Sequence, residues 1–414
     1  MRRALLTVGG ASATQVALLA ALGLGVAYVL SAEEFGIVRL ATAVLMIATM
    51  LGHAALHDAA ASFIARSESK TQHAEYVGTA TALALASSAI VTLTVSVVLL
   101  TTDLWTGQSR TTLLIVMPTI VVTSISLVWT SALRGLGRMR EYALLLAVGG
   151  AVQLAAILPL SWTAALRGWE MGRWLAVLLM LYASWLALRK NIAGLAVSRT
   201  TARHLVTFSA PQLVSGAMSM TLMGVDTLAI EWLTGSLEEV AVYGLASLFA
   251  RAGIAVPTAL AQVYFGKIGK FTAGGIVRRS ATRNLMTVSI GAAALVGAIS
   301  AVGGTVAIDL WYGSKYAGSK EILYILSGGV VVWGAWSSLA VVNTALGRTV
   351  DAVAISGVGL SCAVLLLWAL VPAHGGVGAA WAMNAAALFG VIVGVALLLI
   401  RDRFSGTLTE GNMG

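Results

Sequence analysis

The chain has 414 residues, of which 58% are hydrophobic and only 10% charged, and its mean hydropathy is +0.90. Soluble globular domains carry about 25% charged residues, so a water-exposed fold is excluded and most of this surface must face lipid. The one cysteine, Cys362, excludes a disulfide framework or a thiol-rich metal site, and the net charge of +9 has to be explained by where the cations fall.

Apolar windows near the length of about 20 residues needed to cross a hydrocarbon core of about 30 Å predict helical spans at 4–30, 37–63, 76–101, 112–133, 142–165, 174–188, 209–233, 240–265, 285–308, 321–346, 351–371 and 376–400. The first begins after Arg2 and Arg3, and its apolar run to Leu30 is too long for a secretory signal. The expected fold class is therefore an all-α polytopic membrane protein with about twelve transmembrane helices. Of the 26 Lys and Arg, six (Arg39, Arg110, Arg167, Arg173, Lys315, Lys320) fall on one side of this topology and Arg251 lies within a span. The rest fall on the other side, which the positive-inside rule makes the cytoplasm, with both termini there. The basic excess is thus topology, with attraction to anionic inner-leaflet lipid as its by-product, and no nucleic-acid partner is expected. The longest loops, 189–208 and 266–284 (the latter with "GKIGKF…VRRSATR"), are cytoplasmic, and each is expected to hold a short interfacial helix. The outer loops leave no room for a soluble catalytic domain, so an enzyme is not expected.

The segment "SAEEFGIVRLA" at 31–41 returns as "SLEEVAVYGLA" at 236–246, and "LGRMREYALLLAVGG" from Leu136 is answered by "LGRTVDAVAISGVGL" from Leu346. Both acidic turns join the first and second spans of a six-span half, and both LGR turns join the fourth and fifth. An even number of spans per half makes these parallel repeats. The domain expectation is an N-terminal six-helix lobe at 1–190, a cytoplasmic linker at 191–208 and a C-terminal six-helix lobe at 209–414.

The stretches "LSAEEFGIVRLATAVLMIATMLGHAALHDAAASFIARS", "SALRGLGRMREYALLL", "FSAPQLVSGAMSMTLMGVDTLAIEWLTGSLEEVAVYGLAS" and "PAHGGVGAAWAMN" resemble polysaccharide and oligosaccharide flippases. These belong to the multidrug/oligosaccharidyl-lipid/polysaccharide (MOP) exporter superfamily. The resemblance is diffuse and spans nearly the whole chain. It implies two lobes around a central cavity and alternating access. The substrate implied is a lipid-linked oligosaccharide, typically on undecaprenyl diphosphate, turned from the cytoplasmic to the outer leaflet of the inner membrane. Polysaccharide polymerase machinery is an implied partner; no cofactor is implied, and a coupling ion would be H+ or Na+.

An ionisable residue in mid-span costs about 2.5–3.5 kcal/mol on the insertion scale, which makes each one a candidate. Arg251 and Asp226 flank the second acidic turn at heights about 4.5 Å apart at 1.5 Å per residue. Either Arg251 binds diphosphate while Asp226 takes a coupling ion or releases the arginine, or the two form a static ion pair. Arg39 begins the second span, where it awaits the head group or snorkels to outer phosphates. His53 and His57 share a helix face at i, i+4 with Asp58 alongside, giving a sugar-bonding or proton-responsive stripe or packed polar residues. Two histidines without further ligands do not make a metal site. Pro257, six residues past Arg251, is positioned to bend or break its span. The candidate set is Arg251, Arg39, His53 and His57 for substrate, with Asp226, Asp58 and Pro257 for coupling or gating. The competing reading within the superfamily is a cation-coupled exporter of small drugs, which needs acidic residues in its cavity. A membrane glycosyltransferase or polymerase is disfavoured by the short outer loops.

Overall fold

The computed structural model describes residues 2–190, 192, 194–270, 275–345 and 349–410, with side chains omitted at 2–8, 255, 259, 261–270, 275–282, 344, 345, 349 and 401–410. The described residues are almost wholly helical: α1 Arg2–Val29, α2 Ala32–His53, α3 Leu56–Ile64, α4 Lys70–Thr101, α5 Gly107–Val116, α6 Thr119–Gly135, α7 Met139–Leu188, α8 Arg199–Leu222, α9 Val225–Thr234, α10 Leu237–Lys270, α11 Gly275–Ala307, α12 Ser319–Ala345 and α13 Thr349–Glu410. Among the described residues nine helices are long and apolar enough to cross a membrane, or ten when α8 and α9, which meet at 48°, count as one span.

The longest helices are not straight rods. In α7 the backbone leaves helical geometry at Ala164 and Ala165, and a Cβ on Gly172 would sit 2.6 Å from Ile157 Cα. Such an approach requires the chain to fold back, so α7 holds two of the predicted stretches in antiparallel array. A break at Gly375 does the same in α13, where a Cβ on Gly378 would meet the Leu370 carbonyl oxygen at 2.5 Å.

Both acidic turns start helices for the same chemical reason. The Ser31 hydroxyl accepts from the Glu34 amide at 3.1 Å, and Glu34 Oε2 accepts from the Ser31 amide at 3.0 Å, a capping box that satisfies two donors the helix leaves open. In the second copy the Ser236 hydroxyl accepts from the Glu239 amide at 3.2 Å. The repeated Ser-x-x-Glu is helix-initiating chemistry in both places.

Three predicted spans are interrupted. The second breaks into α2 and α3 at Ala54 and Ala55, the fourth into α5 and α6 at Met117–Pro118, and the seventh into α8 and α9 at Met223–Gly224. Conversely, α10 continues through Pro257 as one helix, so of the bend or break expected there no break occurs. Pro257 is buried against Gly334, where an added Cβ would stand 3.3 Å from its ring. The predicted interfacial helix at 189–208 begins only at Arg199, as the first turn of α8. The side chains of the basic run in 266–282 lie outside the described residues.

The chain forms two compact units, Met1–Leu248 and Phe249–Gly414. In the first, α1 packs on α7, while α2, α3 and α4 pack around α6, and α8 lies against α2, α3 and α4. In the second, α12 packs between α11 and α13. Cys362 is a half-buried free thiol on α13.

Candidate functional site

The α2–α3 junction places the histidines. Ala54 and Ala55 adopt φ of 47° and 56°, a left-handed backbone that costs an L-residue about 1–2 kcal/mol. Side chains around the break take up the polar groups it frees. His53 Nδ1 accepts from the Ala55 amide at 3.2 Å, and the Ser87 hydroxyl of α4 donates to the Gly52 carbonyl at 2.5 Å. The His53 and His57 rings meet edge-on with centroids 4.5 Å apart. Beside them His57 Nε2 lies 3.5 Å from Asp58 Oδ2, and Asp58 is paired with Arg134 at the end of α6. His53, His57 and Asp58 are therefore brought together as expected, with Arg134 added. Because His53 accepts a backbone N–H, its structural task is to brace the break. No group of three or more metal-ligating side chains occurs among the described residues.

A second cluster forms where α2, α9 and α10 meet inside the first unit. Gly224, at the α8–α9 break, packs on Ala43 and Met46 of α2. Just past it Asp226 is 1% exposed. Its Oδ1 accepts from the Thr227 amide at 2.7 Å and its Oδ2 accepts from the Tyr243 hydroxyl at 2.7 Å. On the next residue of α10 lies Arg39: a Cβ on Gly244 would stand 2.7 Å from Arg39 Cγ and 2.9 Å from its Nε. Arg39 Nη2 donates to the Ser247 hydroxyl at 3.1 Å. Two buried charges of opposite sign are thus held on consecutive residues of one helix.

This geometry speaks against one of the two readings of Arg39. Arg39 is 9% exposed, so it does not snorkel to lipid phosphates; its stem is laid over the bare backbone of Gly244. Arg251, half-buried on α10, belongs to the second unit, whereas Asp226 belongs to the first. Sequence reasoning missed Tyr243, Gly244 and Arg134. For Gly244 a signal existed, since it occupies the place of Arg39 in the repeated turn. Another polar link at the same end of the unit joins Trp105, whose Nε1 donates to Glu231 Oε2 of α9 at 2.6 Å.

Buried cationic, imidazole and hydroxyl groups in an apolar helical frame can bind an anionic or hydroxyl-rich group that hydrocarbon alone would exclude. Comparison with known proteins gives this frame its relatives. The family model described as "Polysaccharide biosynthesis protein" matches residues 19–272, more than half of the chain. Among solved structures the chain resembles the inward-facing conformation of a multidrug resistance MATE family transporter of the MOP superfamily, with TM-score 0.76, 16% identity and 94% of both chains covered. It also resembles the lipid II flippase MurJ in an inward closed conformation, with TM-score 0.76 and 14% identity over 96% of this chain and 88% of that one. A MOP superfamily transporter from Pyrococcus furiosus follows, with TM-score 0.68 and 15% identity over 97% of this chain and 95% of that one. At such identities these likenesses establish the fold, that of the MOP superfamily. No curated protein sequence matches significantly.

Proposed function

Because the chain belongs to the polysaccharide biosynthesis protein family, we propose that it is a flippase. It carries a lipid-diphosphate-linked oligosaccharide from the cytoplasmic to the outer leaflet for cell-surface polysaccharide assembly. In this reading residues 1–190 and 209–414 are two six-helix lobes joined by 191–208, twelve spans in all, with both termini cytoplasmic and access alternating between the two faces. The observation that carries it is Arg39, an arginine 9% exposed within apolar helices, with a second arginine, Arg251, in the following segment of α10. A diphospho-sugar head group cannot cross hydrocarbon bare, because its charges would be stripped of water without partners. Guanidinium supplies bidentate donors matched to phosphate oxygens, while the lipid tail, in this reading of the undecaprenyl type, needs no protein path.

An inside-negative potential favours outward movement of the diphosphate by about 2.3 kcal/mol per charge per 100 mV, so the head group brings part of its own driving force. Arg251 is assigned to hold the diphosphate, His53 and His57 to face the sugar, and Asp226 and Asp58 to set the positions of the cations. The buried carboxylate of Asp226 is the one feature that favours the alternative, a cation-coupled drug exporter. Reconstituted protein separates the two. Arg251→Gln is expected to abolish lipid-linked sugar flipping at unchanged yield and melting temperature. Normal flipping by that variant would remove Arg251 from the mechanism, and efflux of organic cations without sugar-lipid movement would favour the exporter.

A further inference from the structure

The two copies of the acidic turn do more than resemble each other: their helices pack together. Within the first unit, a Cβ on Gly36 of α2 would stand 2.8 Å from the carbonyl carbon of Leu237, the first residue of α10, and nearer still to its oxygen. One turn further along α2, the stem of Arg39 lies across Gly244. Counting from the repeated serines, Ser31 and Ser236, Arg39 and Gly244 are the same position of the repeat. A residue packed against its own counterpart is what a two-fold axis between the helices demands. On such an axis there is room for one long side chain and no side chain opposite.

The next pair of counterparts fits the same scheme. Ser247, which receives the Arg39 guanidinium, corresponds to Thr42 of the first copy. The Thr42 hydroxyl donates to Val38 O at 2.7 Å and the Ser247 hydroxyl donates to Gly244 O at 2.9 Å. Both protons are therefore spent on the home helix, which leaves each oxygen able to accept, as Ser247 does from Arg39. The arginine has no like residue in the other copy, where its position is Gly244.

We propose that this crossing is the outer gate of the transporter, closed in this structure, with Arg39 as its bolt and Gly244 and Ser247 as the seat. Opening lifts the guanidinium off Ser247 and frees it for the diphosphate at the exit, so the departing head group holds the gate open until it leaves. Lock and seat occupy one repeat position, which makes them exchangeable: an arginine at 244 over a glycine at 39 would find Thr42 where Arg39 finds Ser247. This rests on the alternating-access reading, but the gate is tested without substrate.

The test uses spin labels on Glu33→Cys and Glu238→Cys, exposed counterparts on the two turns, in a Cys362→Ser background, with distances measured by double electron–electron resonance in nanodiscs. A single short distance is expected for the parent. Gly244→Val, which fills the seat, is expected to shift the distribution to longer distance. The exchange Arg39→Gly with Gly244→Arg, which keeps one bolt over one bare seat, is expected to restore the short distance. If Gly244→Val fails to fold, recovery of a monodisperse, folded protein on adding Arg39→Gly carries the same information. An unshifted distance in a folded Gly244→Val protein, or an exchanged pair that stays at long distance, would overturn the proposal. Either result would leave the flippase reading standing.

Discussion

At the scale of single residues, a buried polar side chain in these apolar helices can carry a structural task. His53 shows the logic. The left-handed Ala54–Ala55 pair exposes an amide that no helix carbonyl can take, and His53 Nδ1 accepts it. Removing that acceptor leaves a buried N–H unsatisfied, a loss of about 1–3 kcal/mol. His53→Ala is therefore expected to lower the melting temperature in detergent, and an unchanged transition would show that the break is held by other contacts. The i, i+4 spacing of His53 and His57 was legible in the sequence, but their structural use was not. Two alanines carry no mark of a left-handed break, since intrinsic preference would continue the helix through them. The two readings of Arg39 could not be separated for a related reason: snorkelling is a property of the side chain, whereas its burial depends on a glycine some two hundred residues away.

At the scale of elements, the link between the predicted halves is a packed strand of chain. The Ala196 amide donates to Ala74 O at 3.3 Å, the Ser198 amide donates to Thr79 Oγ1 at 3.0 Å, and Thr201 is bonded to Glu75. Beneath them Gly78 lets the linker touch α4, since a Cβ there would stand 2.6 Å from the Ala196 nitrogen. Gly78→Val is expected to lift residues 194–198 from α4 and speed amide hydrogen exchange there severalfold, with α6 and α7 unaffected. Exchange identical to the parent would show that the linker is not held by that contact. Hydropathy located the spans well because a bilayer leaves the backbone little choice but helix. It could not locate the interruptions at 54–55 and 223–224, since these are decided by which neighbour supplies the missing hydrogen bond. Pro257 is the opposite case: a proline in a membrane helix need not break it, and here its ring packs against Gly334 within a continuous α10.

For the whole molecule, the doubled acidic turn was the most informative sequence feature, and the structure gives it a physical content. Each copy caps a helix through Ser-x-x-Glu, and the two helices so started meet at Gly36 and Gly244. The departures between copies, Arg39 against Gly244 above all, are as telling as the identities, because a long side chain can lie on its own counterpart only where that counterpart is bare. The family and the fold therefore rest on extended patterns, the match over residues 19–272 among them, while the transported molecule proposed above rests on a few buried charges. The most direct test of the flippase reading is to deplete this protein from its cells and assay lipid-linked sugars by leaflet. The account predicts that a lipid-diphosphate-linked oligosaccharide accumulates on the cytoplasmic face and disappears from the outer one. Absence of any lipid-linked intermediate, or its undiminished appearance on the outer face, would contradict it.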